Sequence, residues 1–124
     1  MPDLLNINEF HRLYRANTFG DGLTTSTVYL YLPRVRAGRI RVLTHVTVES
    51  TIYGVDTIRL GIENLGVRYY LDELKTVTAA ELCVSRSDVL LGEGDRFFAE
   101  LQGTTTGATL KMTCVGWTRD LKSK

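Results

Sequence analysis

Residues 39–49, Arg39-Ile40-Arg41-Val42-Leu43-Thr44-His45-Val46-Thr47-Val48-Glu49, alternate between apolar and polar side chains with a period of two. Ile40, Val42, Val46 and Val48 fall on one row, with Thr44 between them. Arg41, His45, Thr47 and Glu49 fall on the other, where Leu43 is the one apolar residue. A period of two belongs to a strand, whose successive side chains point to opposite faces. One dry row and one wet row mark an antiparallel strand packed on one side only.

Two further segments repeat the pattern. In residues 57–63, Ile58, Leu60 and Ile62 alternate with Arg59, Gly61 and Glu63. In residues 108–118, Leu110, Met112 and Cys114 alternate with Thr109, Lys111 and Thr113. Weaker strands are predicted over residues 27–32, 67–71 and 96–102, and within 79–91. Glycine and acidic residues separate them, as in Arg36-Ala37-Gly38, Asn64-Leu65-Gly66 and Gly92-Glu93-Gly94-Asp95. Sixteen threonines and eleven valines suit a pleated, half-buried surface, and Pro2 and Pro33 lie outside the predicted strands. Seven or eight short strands in one chain predict an all-β, antiparallel β-sandwich of jelly-roll-like form.

The ends of the chain break the pattern. Residues 1–26 read as an N-terminal arm ahead of a sandwich domain at 27–120, and residues 121–124 read as a basic tail. Asn6-Ile7-Asn8-Glu9 has the form of a helix capping box, with Ile7, Phe10, Leu13 and Tyr14 as an apolar stripe behind it. The arm is therefore either extended or a short helix over residues 6–15. A second capping box, Thr78-Ala79-Ala80-Glu81, predicts a single helical turn inside the 79–91 region.

With 124 residues there is room for one domain, and 44% hydrophobic with 23% charged residues is an ordinary globular composition. A formal charge of +1 gives no bulk attraction to nucleic acid or anionic lipid, so neither is an expected partner. No apolar run has the length of a membrane span. Met1-Pro2-Asp3-Leu4-Leu5 lacks the basic region and apolar core of a signal peptide. The expected setting is a cytoplasm, with Cys83 and Cys114 as reduced thiols buried in apolar stretches.

Signals for chemistry are weak. His11 and His45 have no partner at metal-ligand spacing, and the cysteines form no CxxC pair. There is no GxSxG, no P-loop and no GxGxxG. Gly92-Glu93-Gly94-Asp95 supplies too few oxygens for calcium and reads as a turn. Glu63, Asp72 and Glu73 read as solvated carboxylates. The expectation is a protein with no catalytic residue, metal or cofactor.

Signals for association are stronger. Arg34, Arg36, Arg39 and Arg41 fall within eight residues, and their planar guanidinium forks suit carboxylates on a protein surface. No interleaved aromatic residues suggest base stacking. Phe10, Leu13 and Tyr14 form an apolar group outside the sandwich pattern, suited to anchoring on a neighbour. Tyr29 and Tyr31, Tyr69 and Tyr70, Phe97 and Phe98, and Val115 with Trp117 leave large apolar groups on outer faces. These seven arginine and apolar positions are the candidate interface. Residues 61–110 carry eight acidic and four basic side chains, a possible counterpart on another copy.

The run Tyr29-Leu30-Tyr31-Leu32-Pro33 is followed by Ala37-Gly38 entering the valine-rich strand, then by Leu91-Gly92-Glu93-Gly94-Asp95-Arg96. A Gly103 to Gly107 loop and a closing Val115-Gly116-Trp117 complete the series. Over residues 27–120 this resembles the small β-sandwich structural proteins of tailed-bacteriophage virions. The resemblance implies a protein that coats, cements or joins capsid, neck or tail pieces, made in the host cytoplasm and residing in the virion. It implies a homo-oligomer bound to other virion proteins, without a cofactor, whose N-terminal arm reaches a neighbouring subunit. The alternative is a carbohydrate- or receptor-binding sandwich in which Tyr69, Tyr70 and Trp117 stack on sugar rings. A cupin-like enzyme is disfavoured by the lack of paired histidines.

Overall fold

β-branched and aromatic residues at alternate positions give the chain nine strands, seen in a computed structural model that describes residues 12–24, 26–77, 83–85 and 88–121. They are β1 (Arg12–Asp21), β2 (Ser26–Tyr31), β3 (Arg39–Ser50), β4 (Val55–Asn64), β5 (Val67–Val77), β6 (Cys83–Ser85), β7 (Val89–Leu91), β8 (Arg96–Thr104) and β9 (Thr109–Asp120). No helix occurs among the described residues.

The pairing follows one rule. β1 pairs with β9, β2 with β8, β3 with β6 and β7, and β4 with β5, all antiparallel. That is a long hairpin, closed at the β4–β5 turn, whose two arms then wrap together. Wrapping adds two contacts, β3 beside β9 and β4 beside β8. The result is two sheets, ordered β1-β9-β3-β6 (with β7 also on β3) and β2-β8-β4-β5. This is the jelly roll, and it makes the protein an antiparallel β-sandwich.

Between the sheets lie Leu43, Val46 and Val48 of β3, Ile58 and Leu60 of β4, Phe97, Ala99 and Leu101 of β8, and Leu110, Met112 and Cys114 of β9. The rows expected for β4 and β9 face the core. The row expected for β3 holds only in its second half. Thr44 is an extra residue, since Leu43 pairs with Gly116 and His45 with Val115. Its hydroxyl donates to the Val115 carbonyl at 3.2 Å. A bulge of one residue exchanges the two faces of a strand. Before it, Arg41 and Leu43 point inward while Ile40 and Val42 point outward. After it, Val46, Val48 and Ser50 point inward. Leu43, expected on the wet row, is fully buried.

The second correction concerns the arm. Residues 12–21 are neither helix nor leader: they form β1, paired residue for residue with β9 from Arg12↔Thr118 to Asp21↔Thr109. The sandwich therefore includes residues 12–21, which the sequence pattern assigns to the arm ahead of residue 27. The leucine-tyrosine spacing imitated a helix because β1 is an edge strand whose outer row contains Leu13 and Phe19 and whose inner row contains Ala16, Thr18 and Gly20. Neither row is cleanly apolar, so the period of two is hidden. Phe10 and residues 6–11 of the predicted helix lie outside the described residues, as does the capping box at 78–81.

Candidate interaction faces

Residues opposite one another in an antiparallel pair share a face. Applied to the first sheet, the register places Leu13 of β1 opposite Trp117 of β9, Trp117 opposite Val42 of β3, and Val42 opposite Leu90 of β7. All four point away from the core. They form one apolar row across four strands, about 14 Å from end to end at ordinary strand spacing. Leu13 and Leu90, at its two ends, are 65% and 64% exposed. The next row is Arg15, Val115 and His45; further along come Phe19, Lys111 and Glu49. The Lys111 ammonium lies 5.6 Å from the centre of the Phe19 ring. The apolar band is thus flanked on one side by the basic groups Arg15 and His45.

The outer face of the second sheet is built differently. Phe98 of β8 points outward yet is completely buried. Tyr31 lies beside it on β2 and Tyr70 beyond Gly61, whose row it shares. Gly61 carries no side chain between the two rings, and Tyr70 meets Phe98 edge-on at 5.6 Å. A Cβ at Gly61 would stand 2.2 Å from the Tyr69 carbonyl oxygen, so the bulged β5 backbone itself requires glycine. Tyr29 and Tyr31 stack at 6.0 Å. Arg68 covers Tyr29 at 4.2 Å, Arg96 covers Tyr31 at 3.7 Å and Arg59 covers Tyr70 at 4.4 Å.

Carboxylates complete this layer. The Tyr70 hydroxyl donates to Glu100 at 2.6 Å, which pushes the Tyr70 phenol up; Gln102 also donates to Glu100. Glu63 accepts from the Gly66 amide at 2.8 Å, from Arg96 and from Arg34 at 2.8 Å. The Gly66 bond first, then the two arginines, hold the Glu63 carboxyl at about 2 against the opposing effect of burial. On this face arginines stack over Tyr29, Tyr31 and Tyr70, and Tyr70 remains 42% exposed.

The four arginines expected to act together are separated. Arg34 turns to Glu63 and to the Gly94 carbonyl, and so belongs to the second sheet's network. Arg39 pairs with Asp120 at 3.0 Å, and Arg12 shares that carboxylate. Arg36 is exposed on the turn. Arg41 points between the sheets and is only 8% exposed. Its guanidinium lies 3.9 Å over the Tyr14 ring, with long contacts of 3.4 Å to the Thr118 hydroxyl and the Pro33 carbonyl. Burial lowers the Arg41 pKa and raises that of Tyr14, whose hydroxyl has no hydrogen-bond partner among the described residues. Of the apolar trio, Leu13 is on the outer row, Tyr14 on the inner row, and Phe10 outside the described residues.

Sequence reasoning missed Val42 and Leu90 as surface residues. The bulge at Thr44 hides the first, and the three-residue β7 is too short to show a period. The proposed sugar platform is not assembled: Trp117 is on the first sheet's outer face and Tyr70 on the second's, while Tyr69 pairs with Ile62 on the opposite side of β5 from Tyr70. At the open edge between β5 and the β6–β7 strands lies a cavity of about 160 Å³, lined by Leu60, Leu71, Asp72, Ser85, Val89 and Phe97. Among the described residues no group of three His, Cys, Asp or Glu side chains could hold a metal ion. Cys114 is a free thiol whose burial pushes its pKa up to about 12, which leaves it protonated and unreactive at neutral pH.

No protein-family model matches the chain, and no curated protein matches it. Among solved structures, one described as "CBM4 structure and function" aligns with a TM-score of 0.40 and 12% identity, over 80% of this chain and 79% of that one. A chain from the structure of infectious bursal disease virus, Gx strain, aligns with a TM-score of 0.37 and 6% identity, over 91% of this chain and 41% of its own.

Proposed function

We propose that this protein is a non-enzymatic structural subunit that binds other proteins through the outer face of the first sheet, as part of a virus particle of the tailed-bacteriophage kind. The observation that carries the reading is the row Leu13, Trp117, Val42 and Leu90. An apolar band flanked by basic groups has the anatomy of a subunit interface, dry at the centre and polar at the edge. A single exposed leucine needs no explanation, whereas a row spanning four strands does. Jelly rolls serve in viral capsids and in lectins, so the fold agrees with the reading at the level of architecture only. Arginines already occupy one face of Tyr29, Tyr31 and Tyr70 on the second sheet, and Trp117 lies on the other sheet, which disfavours a joint sugar-stacking platform.

Particles purified from the source are expected to contain this chain at a fixed copy number. Recombinant protein is expected to co-sediment with particles that lack it. Leu90→Glu, which places a charge on the exposed end of the band, should weaken co-sedimentation at least about tenfold while leaving the strand spectrum intact. Absence from the particles, or undiminished co-sedimentation of the variant, would remove the reading.

A further inference from the structure

β1 is the edge of the first sheet: it pairs with β9 on one side, and among the described residues no strand lies on the other. It is ten residues long and unbroken by a bulge or a proline. Proteins blunt such edges or use them, because each presents a row of unpaired backbone donors and acceptors. The inner-row residues Tyr14 and Ala16 pack on the core and are only partly buried at this edge.

We propose that a second copy of this chain pairs with β1 through its own β1, antiparallel about a two-fold axis at Ala16. For the two sheets to continue as one, outer-row residues must meet outer-row residues, which restricts the sum of opposed residue numbers to even values. Three registers lie near the middle of the strand. Centring on Arg15 sets Arg15 against Arg15 of the second copy, a direct like-charge pair. Centring on Asn17 sets exposed Leu13 against Asp21. Centring on Ala16 sets Leu13 against Phe19 of the second copy, twice by symmetry, with Arg15 against Asn17 and Arg12 against Gly20. Leu13 and Phe19, 65% and 61% exposed, are the two large apolar side chains on the outer row of β1. They stand three residues either side of Ala16. Only this register covers both. The joined sheets would set the apolar bands of the two copies on one continuous outer face, about 20 Å apart along the strand direction.

This pairing rests on the reading of the first sheet as the assembling layer, and its failure is distinguishable. A chain that joins particles as a monomer would leave that reading standing and remove only the β1 contact. The test uses the full chain. Sedimentation velocity should show a concentration-dependent dimer, and Phe19→Asp should weaken it at least about tenfold with the strand spectrum unchanged. Directly opposed Cβ atoms about 4.5–5.5 Å apart come within reach of a disulfide. The double variant Leu13→Cys with Phe19→Cys should therefore oxidise to a covalent dimer, and neither single variant should do so. A monomer at every concentration, a dimer in which the double variant does not cross-link, or preferential cross-linking of Leu13→Cys with Asp21→Cys would each overturn it.

Discussion

Thr44 decides which side chains of β3 enter the core, and nothing in its local sequence announces the decision. Its neighbours alternate correctly on either side; the extra residue only exchanges the rows. The bulge is visible in the register opposite β9, a contact between residues about seventy positions apart. Leu43→Ala should therefore cost about 2–5 kcal/mol in urea unfolding, the range for a buried leucine, while Val42→Ala costs under about 1 kcal/mol. The opposite ranking would put Val42 in the core. Arg41 is a second residue whose fate the bulge sets. A guanidinium buried with two long hydrogen bonds and no carboxylate among the described residues is a poor use of a charge. Arg41→Met should leave stability unchanged or raise it by up to about 2 kcal/mol. A loss of more than about 1 kcal/mol in the same unfolding experiment would show that the stack on Tyr14 outweighs desolvation.

Strands with one wet face were legible, and strands at edges or with two covered faces were not. β4 and β9 alternate plainly because one row faces the core and the other carries mostly polar, charged or glycine residues. β1 mixes exposed Leu13 and Phe19 with small inner residues, and β8 carries Phe97 inward and Phe98 outward, so neither shows a clean period. The outer network on β8 is equally hidden, because it joins Glu63 of β4 to Arg34 of the β2–β3 connection and Arg96 of β8. That carboxylate gives a pH signature. Its pKa in the folded chain lies at about 2, well below that of an ordinary glutamate, so ionised Glu63 favours the native state above that value. The contribution falls away as the pH drops from about 4.5 towards 2. Glu63→Gln should flatten the stability profile across this window in denaturant titrations, while leaving the slope above pH 6 unchanged. An identical acid slope in the variant would assign the acid sensitivity to other carboxylates.

At the scale of the whole molecule, the jelly roll divides labour between its layers. The second sheet encloses Phe98 under tyrosines, arginines and carboxylates, with Glu63 and Glu100 held by hydrogen bonds on that face. The first sheet carries an apolar band whose two ends, Leu13 and Leu90, are exposed. The sequence showed that aromatic residues exceeded what one core could hold, but it did not show which face exposed them. Four arginines close in sequence looked like a single patch; wrapping sends Arg34 to one layer, Arg39 to Asp120, and Arg41 inside. The band is drawn from β1, β9, β3 and β7, which are distant along the chain, so only the topology could gather it. Trp117 is the single tryptophan and sits within the band. Replacing it with 7-azatryptophan, whose absorption is distinct from that of other tryptophans, makes it a reporter of that face alone. Acrylamide quenching of this fluorophore, measured for the free chain and for the chain bound to its particle, should fall several-fold on binding. Equal quenching in the two states would mean that the band stays in water and that the protein is held by another surface.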